Sequence, residues 1–278
     1  MKGYIQTAVA DLRKEPEYLT QDFSHHPLRD SQLLYGEKVI VLEQWKEWLR
    51  VEALEQPRFS EEKNWHSYPG WVHESEVAQL NDSFEPNGVI CFLFAPVTGL
   101  SFPLSFGTLV FQEKAGILRL PSGKTAYCDP CMIRSLPFPV SREKLLKDAR
   151  KFLATPYLWG GRAGFLPGMT ASVDCSGLIN LIHRSQGITI PRDAHDQYLK
   201  ATPITEETLQ PGDLIFLKKE DATRISHVIL YTGSLTFLEA PETGKCVRLL
   251  SLLSPLGPSL KLEDRINRYA AYYGTFLT

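Results

Sequence analysis

At Pro137-Phe138-Pro139 the chain changes its periodicity, and this break constrains the fold more than any other feature. Each proline restricts its own φ and the residue before it, so the segment reads as a short stiff linker. Before it there are only short β-rich runs. Tyr4–Ala8, Gln32–Leu34, Lys38–Leu42, Trp48–Ala53 and Gly70–His73 carry branched and apolar residues that suit strands, with Gly36, Pro57 and Pro69-Gly70 as punctuation. The polar stretch Gln56–Ser67 is expected to be a loop inserted before the last of them. Several short strands at close spacing predict a small barrel over residues 1–80. Val89–Val97, Thr108–Gln112, Gly116–Leu120 and Lys124–Cys128 predict a second one over 84–138. Beyond the break, Ser141 is placed to cap a helix running through Phe152, with Leu145, Leu146, Ala149 and Leu153 on one stripe. A second helix is expected from near Asp174 to Gly187, a suitable C′ residue. Strands are predicted at Asp213–Lys218, His227–Thr232, Thr236–Ala240 and Val247–Leu250. Helices first and antiparallel strands after give residues 140–278 an α+β arrangement.

The length of 278 residues fits two or three such units. Thirty Lys and Arg against 32 Asp and Glu leave a formal charge of −2, which argues against a dedicated nucleic-acid binder. The longest apolar run, Val89–Ala95, is far short of the ~20 residues of a membrane span. Asp11, Arg13, Lys14 and Glu15 come too early for a secretory signal, and five cysteines is an odd number for a disulfide framework. Both features point to reduced thiols and a cytoplasmic location, without a membrane partner. Oligomeric state has no signal in the sequence.

Cys175 stands in Asp174-Cys175-Ser176-Gly177, at the expected start of a helix. Free backbone N–H groups and the helix dipole favour a thiolate there, and the same groups can hold an oxyanion. Most cysteines are buried and structural, so a base and an orienting group are required as well. His227 opens one predicted strand and Glu239 lies on the next, with Thr232-Gly233-Ser234 as the turn. A hairpin centred near Gly233-Ser234 sets position 227 against 239 or 240. Glu239 can then accept the second N–H of the imidazole and fix its tautomer.

Five ordered motifs strongly resemble the NlpC-type cysteine peptidases of bacteria. They are Tyr157-Leu158-Trp159-Gly160-Gly161, Asp174-Cys175-Ser176-Gly177, Ile190-Pro191-Arg192-Asp193, Pro211-Gly212-Asp213-Leu214 and Ser226-His227-Val228. The resemblance covers about residues 140–278. It implies a papain-like α+β domain with Cys175 as nucleophile, His227 as base, Glu239 where the family often has His, Asn or Gln, and Tyr157 beside the oxyanion. It further implies substrate-binding roles for Trp159, Asp174, Ser176 and Arg192. Leu34-Tyr35-Gly36-Glu37 and Ser67-Tyr68-Pro69-Gly70-Trp71-Val72 resemble the first bacterial SH3-like barrel of a subgroup of these enzymes. That subgroup hydrolyses the γ-D-glutamyl–diaminopimelate bond in muropeptides with a free L-alanine N-terminus. On this resemblance Tyr68, Glu37 and Asp193 close the groove and read the terminal ammonium. Ala194 stands where the family often has Ser, and Arg162–Val173 is longer than a minimal loop. The resemblance implies no metal or cofactor.

Other signals are weaker. Cys128-Asp129-Pro130-Cys131 has metal-site spacing but no second ligand pair nearby, and reads as structural thiols. Gly160-Gly161-Arg162-Ala163-Gly164 lacks the ending of a phosphate loop. His25-His26 reads as an exposed loop pair, Trp45 and Trp48 as barrel core or surface, and Phe102, Phe106 and Phe111 as core of the second barrel. Two rival functions stand beside hydrolysis: acyl transfer or amidase activity on the same fold, and non-catalytic wall binding through the barrels.

Overall fold

The computed structural model describes residues 1–18, 26–80, 84–164, 172–251 and 269–277. His25 and residues 165–171 of the long loop lie outside them. The first β unit holds β1 (Lys2–Ile5), β2 (Val9–Arg13), β3 (Arg29–Leu34), β4 (Lys38–Trp45), β5 (Trp48–Ser60), β6 (Asn64–His73) and β7 (Val77–Gln79). These form one antiparallel sheet in the order β3-β2-β6-β5-β4-β1-β7. Alternate residues turn inward, so that Ile5, Leu12, Leu33, Val39, Val51 and Val72 form a closed apolar cluster.

Gln56–Ser67 is not a loop. It is the outer half of the β5–β6 hairpin, which pairs out to Ser60↔Asn64. Asn64 turns the corner at φ 53°, a conformation Asn tolerates. The register slips between Ala53 and Pro57, where a residue without an N–H costs the ladder least. The hairpin looks polar in sequence because the buried surface it meets belongs to the C-terminal part of the chain. Phe59 N–H donates to Asp196 Oδ2 (3.0 Å) and Arg192 N–H to the Pro57 carbonyl (3.3 Å).

The second β unit comprises β8 (Gly88–Ile90), β9 (Phe94–Ala95), β10 (Val97–Thr98), β11 (Leu104–Ser105), β12 (Leu109–Lys114), β13 (Ile117–Arg119), β14 (Thr125–Cys128) and β15 (Ile133–Ser135). The expected single strand Val89–Val97 is three short ones, since β9 leaves the main sheet to pair with β11. Ile90, Val97, Leu104, Val110 and Leu118 are buried together with Tyr35 from the first unit. Phe102 packs on Tyr35, whereas Phe106 belongs elsewhere. It meets Phe152 edge-on at 5.1 Å in the core of the C-terminal part.

There, α1 (Arg142–Arg150) starts at Ser141, whose hydroxyl accepts from Lys144 N–H. A short pair, β16 (Arg162–Ala163) and β17 (Ser172–Val173), leads to α2 (Cys175–Arg184). The further elements are α3 (Ala194–Lys200), β18 (Thr202–Ile204), β19 (Leu214–Lys219), β20 (His227–Gly233), β21 (Thr236–Glu239), β22 (Arg248–Ser251) and β23 (Tyr269–Thr275). The six strands form an antiparallel sheet, β18-β23-β19-β20-β21-β22. Every residue of α2 is buried, and the helix lies on the sheet over Phe216, Val228, Leu230 and Leu238.

Charge joins the first β unit to α2. Glu37 is buried, accepting from Arg162 Nη1 (2.7 Å) and Gln56 Nε2 (3.2 Å) and lying 3.3 Å from Arg184 Nη2. Arg184 also pairs with Glu55, and Arg162 Nε donates to Asn180 Oδ1 on α2 (2.6 Å). Burial opposes ionisation of Glu37, but the two guanidinium groups hold its carboxyl below the usual range. Removing one member of a buried pair leaves the other without its counter-charge. Glu37→Ala should therefore destabilise the protein by about 3–5 kcal/mol in urea unfolding. Glu43→Ala, at an exposed pair with Arg50, should cost less than about 1 kcal/mol in the same measurement.

Candidate active site

The site is built on the first turn of α2. Asp174 caps the helix by accepting from Gly177 N–H (2.6 Å), and its other oxygen accepts from Gly160 N–H (3.1 Å). Both oxygens also take hydrogen bonds from Arg192, at 3.0 and 2.7 Å. Gly177 is required for packing rather than for backbone freedom. A Cβ built there would lie 2.1 Å from the Gly161 carbonyl oxygen, so the helix start and the Gly160-Gly161 loop fit together only without a side chain. Cys175 is thereby presented at the N-terminus of a buried helix, beside a cleft of about 610 Å³.

His227 stands in the same cleft, at the start of β20. Its Nε2–H donates to Glu239 Oε2 at 2.9 Å. The hairpin arithmetic needs one adjustment. Leu230 pairs with Leu238, and a bulge between Tyr231 and Gly233 shifts the register, so Glu239 falls level with Ile229. It reaches His227 as a diagonal neighbour on the same face. With Nε2 committed to Glu239, Nδ1 is the nitrogen left to meet the Cys175 thiol. Burial by itself would lower the imidazole pKa. The Cys175 sulfur and the Glu239 carboxylate, each hydrogen-bonded to the ring, reverse this and raise it to about 9. Tyr157 lines the cleft next to Cys175, and burial followed by the charge of Cys175 pushes its phenol far up, so it is a donor at any working pH.

The remaining expected site residues divide. Tyr68, Trp159, Asp174, Ser176 and Asp193 all line the cleft. Arg192 does not: it is fully buried and spends its donors on Asp174, Ser176 Oγ (2.9 Å), Ser31 Oγ (2.9 Å) and the Gly161 carbonyl (3.4 Å). It supports the site from behind. Glu37 is likewise absent from the cleft, because Arg162 and Arg184 have drawn it into the junction between units.

The carboxylate of the first β unit that does line the cleft is Asp30 on β3, paired with Lys14 Nζ at 3.3 Å. Tyr68 O–H donates to both oxygens of Asp193, at 3.2 and 3.1 Å, and Asp30 and Arg58 share this end of the cleft. Burial raises the pKa of Asp193 and of Asp30, and each carboxylate raises that of Tyr68 after burial has done so first. No sequence motif marks Asp30. Arg248, which pairs with the far oxygen of Glu239, was also missed, although hairpin arithmetic about Thr243-Gly244 would have set it opposite Glu239. Cys128 is buried and Cys131 exposed in the second β unit. Among the described residues no three side chains are grouped to hold a metal ion.

A protein from Bacillus subtilis (strain 168), named gamma-D-glutamyl-L-lysine dipeptidyl-peptidase, is 31% identical over 235 residues, covering 80% of this chain and 75% of its own length. The chain belongs to the NlpC/P60 family. The model of that family matches residues 154–256, which contain Cys175, His227 and Glu239. A Bacillus cereus (strain ATCC 10987) protein of the same name is 28% identical over 248 residues, with 81% and 71% of the two chains covered. The crystal structure of an NlpC/P60 family protein from Bacillus cereus ATCC 10987 superimposes over the whole of both chains with a TM-score of 0.83 and 25% identity. The fold of the C-terminal part is papain-like, and the protein is a cysteine peptidase.

A thiolate–imidazolium pair is lost on the alkaline side when the imidazolium gives up its proton. kcat/KM should therefore fall as pH rises through about 9, a limb set by His227. Cys175→Ala should lower kcat by several orders of magnitude while leaving the unfolding midpoint nearly unchanged. A pH–rate profile on the wild type and a turnover assay on the variant check both.

Proposed function

We propose that this peptidase hydrolyses the γ-D-glutamyl–diaminopimelate bond of peptidoglycan-derived peptides that carry a free N-terminal L-alanine. The observation that carries the reading is the acidic end of the cleft, where Asp30, Asp193 and the Tyr68 hydroxyl converge. Burial raises the pKa of both carboxylates, Asp193 adds to the rise of Asp30, and the cations Lys14, Arg58 and Arg192 offset this only in part, so an added ammonium group favours their charged forms. The curated relatives' name, with its γ-D-glutamyl linkage and dipeptide release, agrees with a groove closed a short distance from the nucleophile.

In this reading the Cys175 thiolate attacks the γ-carbonyl carbon. The Cys175 N–H and the Tyr157 hydroxyl face the oxyanion that forms. His227 gives its Nδ1 proton to the leaving amine, and the C–N bond breaks to leave a thioester. Water then attacks the thioester with His227 taking its proton, releasing the acid and restoring the thiolate–imidazolium pair. Trp159, 40% exposed at the rim, offers a wall for the peptide. We read the two β units, residues 1–80 and 84–138, as SH3-like barrels and 140–278 as the catalytic domain, supported by an apolar cluster centred in each, with Tyr35, Leu34 and Phe106 crossing between them. Five unpaired thiols support a cytoplasmic place of action.

The test is kinetics on L-Ala-γ-D-Glu-diaminopimelate, its L-lysine counterpart and the N-acetylated form of each, with products identified by mass. The expected products are L-Ala-D-Glu and the free diamino acid. Acetylation removes the cation that the buried carboxylates need, so kcat/KM should drop on the order of a hundredfold or more. Asp30→Asn and Tyr68→Ala should each narrow the gap between free and acetylated peptides. Equal cleavage of free and acetylated peptides by the wild type would show that this end does not read the ammonium.

A further inference from the structure

Glu239 holds two cations at once. Its Oε2 accepts from His227 Nε2–H at 2.9 Å, and its Oε1 accepts from Arg248 Nε and Nη2 at 3.0 and 2.7 Å. The Glu239 carboxylate has no exposure to solvent, whereas the Arg248 side chain is 28% exposed. The pairing is built into the sheet, because Glu239 and Arg248 are direct partners in the β21–β22 register. Arg248 therefore meets the buried carboxylate from the solvent edge while His227 meets it from the cleft.

We propose that Arg248 is a positioning residue of the active site, keeping Glu239 ionised and turned toward His227. The inference rests on reading Cys175, His227 and Glu239 as the catalytic set. The guanidinium gives this buried carboxylate two hydrogen bonds and a positive charge. Without it the ionised form of Glu239 is disfavoured, and the carboxylate is drawn toward taking up a proton. A protonated Glu239 no longer stabilises the imidazolium and can turn its hydroxyl on the ring. His227 from β20 and Arg248 from β22 face this carboxylate, with Cys175 from α2 across the imidazole. The acid side of the rate profile then reports the ionisation that Arg248 protects.

The experiment uses the full chain with Arg248→Gln, Arg248→Lys, Glu239→Gln and the double variant Glu239→Gln/Arg248→Gln. Two quantities are followed against pH: kcat and KM on L-Ala-γ-D-Glu-diaminopimelate, and iodoacetamide labelling of Cys175 located by peptide mass. The labelling needs no substrate. Arg248→Gln should lower kcat about tenfold with KM little changed, and move the acid limb of both readouts up by about one pH unit. Arg248→Lys keeps a charge and should hold the acid limb near the wild-type position. In the Glu239→Gln background there is no carboxylate to protect, so adding Arg248→Gln should change either readout by less than about twofold. An unmoved acid limb, or an equal loss in both backgrounds, would overturn the proposal and make Arg248 a strap between β21 and β22. A wild-type Cys175 that labels no faster at low pH than the exposed Cys131 and Cys246 would overturn the catalytic reading itself, and the inference with it. Should Arg248→Gln unfold, Arg248→Leu carries the same comparison.

Discussion

The pair between Arg192 and Asp174 is what the rest of the active site depends on. Arg192 is fully buried, and a guanidinium in that position is tolerable only if its donors are matched. They are matched by groups from three parts of the chain: Ser31 on β3, the Gly161 carbonyl, and Asp174 and Ser176 at the head of α2. Asp174 in turn caps the helix that presents Cys175 and fixes the Gly160 amide. One cation therefore sets the height of the nucleophile, the shape of the loop beside it and the seat of the first β unit. Asn180 and Gln197 reinforce the same corner by tying α2 to the Ile190-Pro191 carbonyls. The neighbour of Arg192 in sequence, Asp193, lines the cleft, so the support and the proposed recognition element are covalently coupled.

This coupling explains why the N-terminal β unit is part of the site rather than an appendage. The Glu37–Arg162–Arg184–Glu55 cluster fastens it to α2 by charge, and the tip of the β5–β6 hairpin fastens it to α3 through Asp196. The same unit supplies Tyr68, which donates to Asp193, and Asp30, which lines the same cleft. Charged contacts of this kind are directional, so they define one docked arrangement where an apolar face would permit sliding. The cost is that each buried charge depends on its partner.

What was legible in the sequence was local. Asp174-Cys175-Ser176-Gly177 announces a capped helix start, and the turn at Gly233-Ser234 brings His227 and Glu239 together to within one register step. The pattern break after Ser135 separates the all-β part from the α+β part. What was not legible was set by partners distant in the chain. Gln56–Ser67 reads as a loop because its tip is polar and exposed, while its anchoring contact is a backbone bond from Phe59 to Asp196 on α3, more than a hundred positions away. Glu37 and Asp30 are both acidic residues beside β3, and nothing nearby tells them apart. The distinction comes from Arg162 and Arg184, which lie on other elements and reach only one of them. β23 is not legible because its strand partners, β18 and β19, lie some fifty or more positions earlier, so no local hairpin pattern announces it.

The two kinds of buried carboxylate also differ in what they ask of the fold. Glu37 is over-supplied with cations, its carboxyl is held below the usual range, and it adds stability at neutral pH that is lost as pH falls through that lowered value. Asp193 runs the other way. Burial outweighs the pull of Arg192 and of Arg58, so its pKa is raised, and its contribution to stability is full below the unfolded pKa and lost as pH rises through the raised folded value. As pH climbs to neutrality Asp193 carries a charge that burial opposes and Arg192 and Arg58 favour, whereas Asp30 near it is paired with Lys14 at 3.3 Å. In the proposed reading a bound ammonium would add to these cations and favour the charged form of Asp193. Stability withheld from the free protein would then reappear as preference for a cationic end over a neutral one of similar shape.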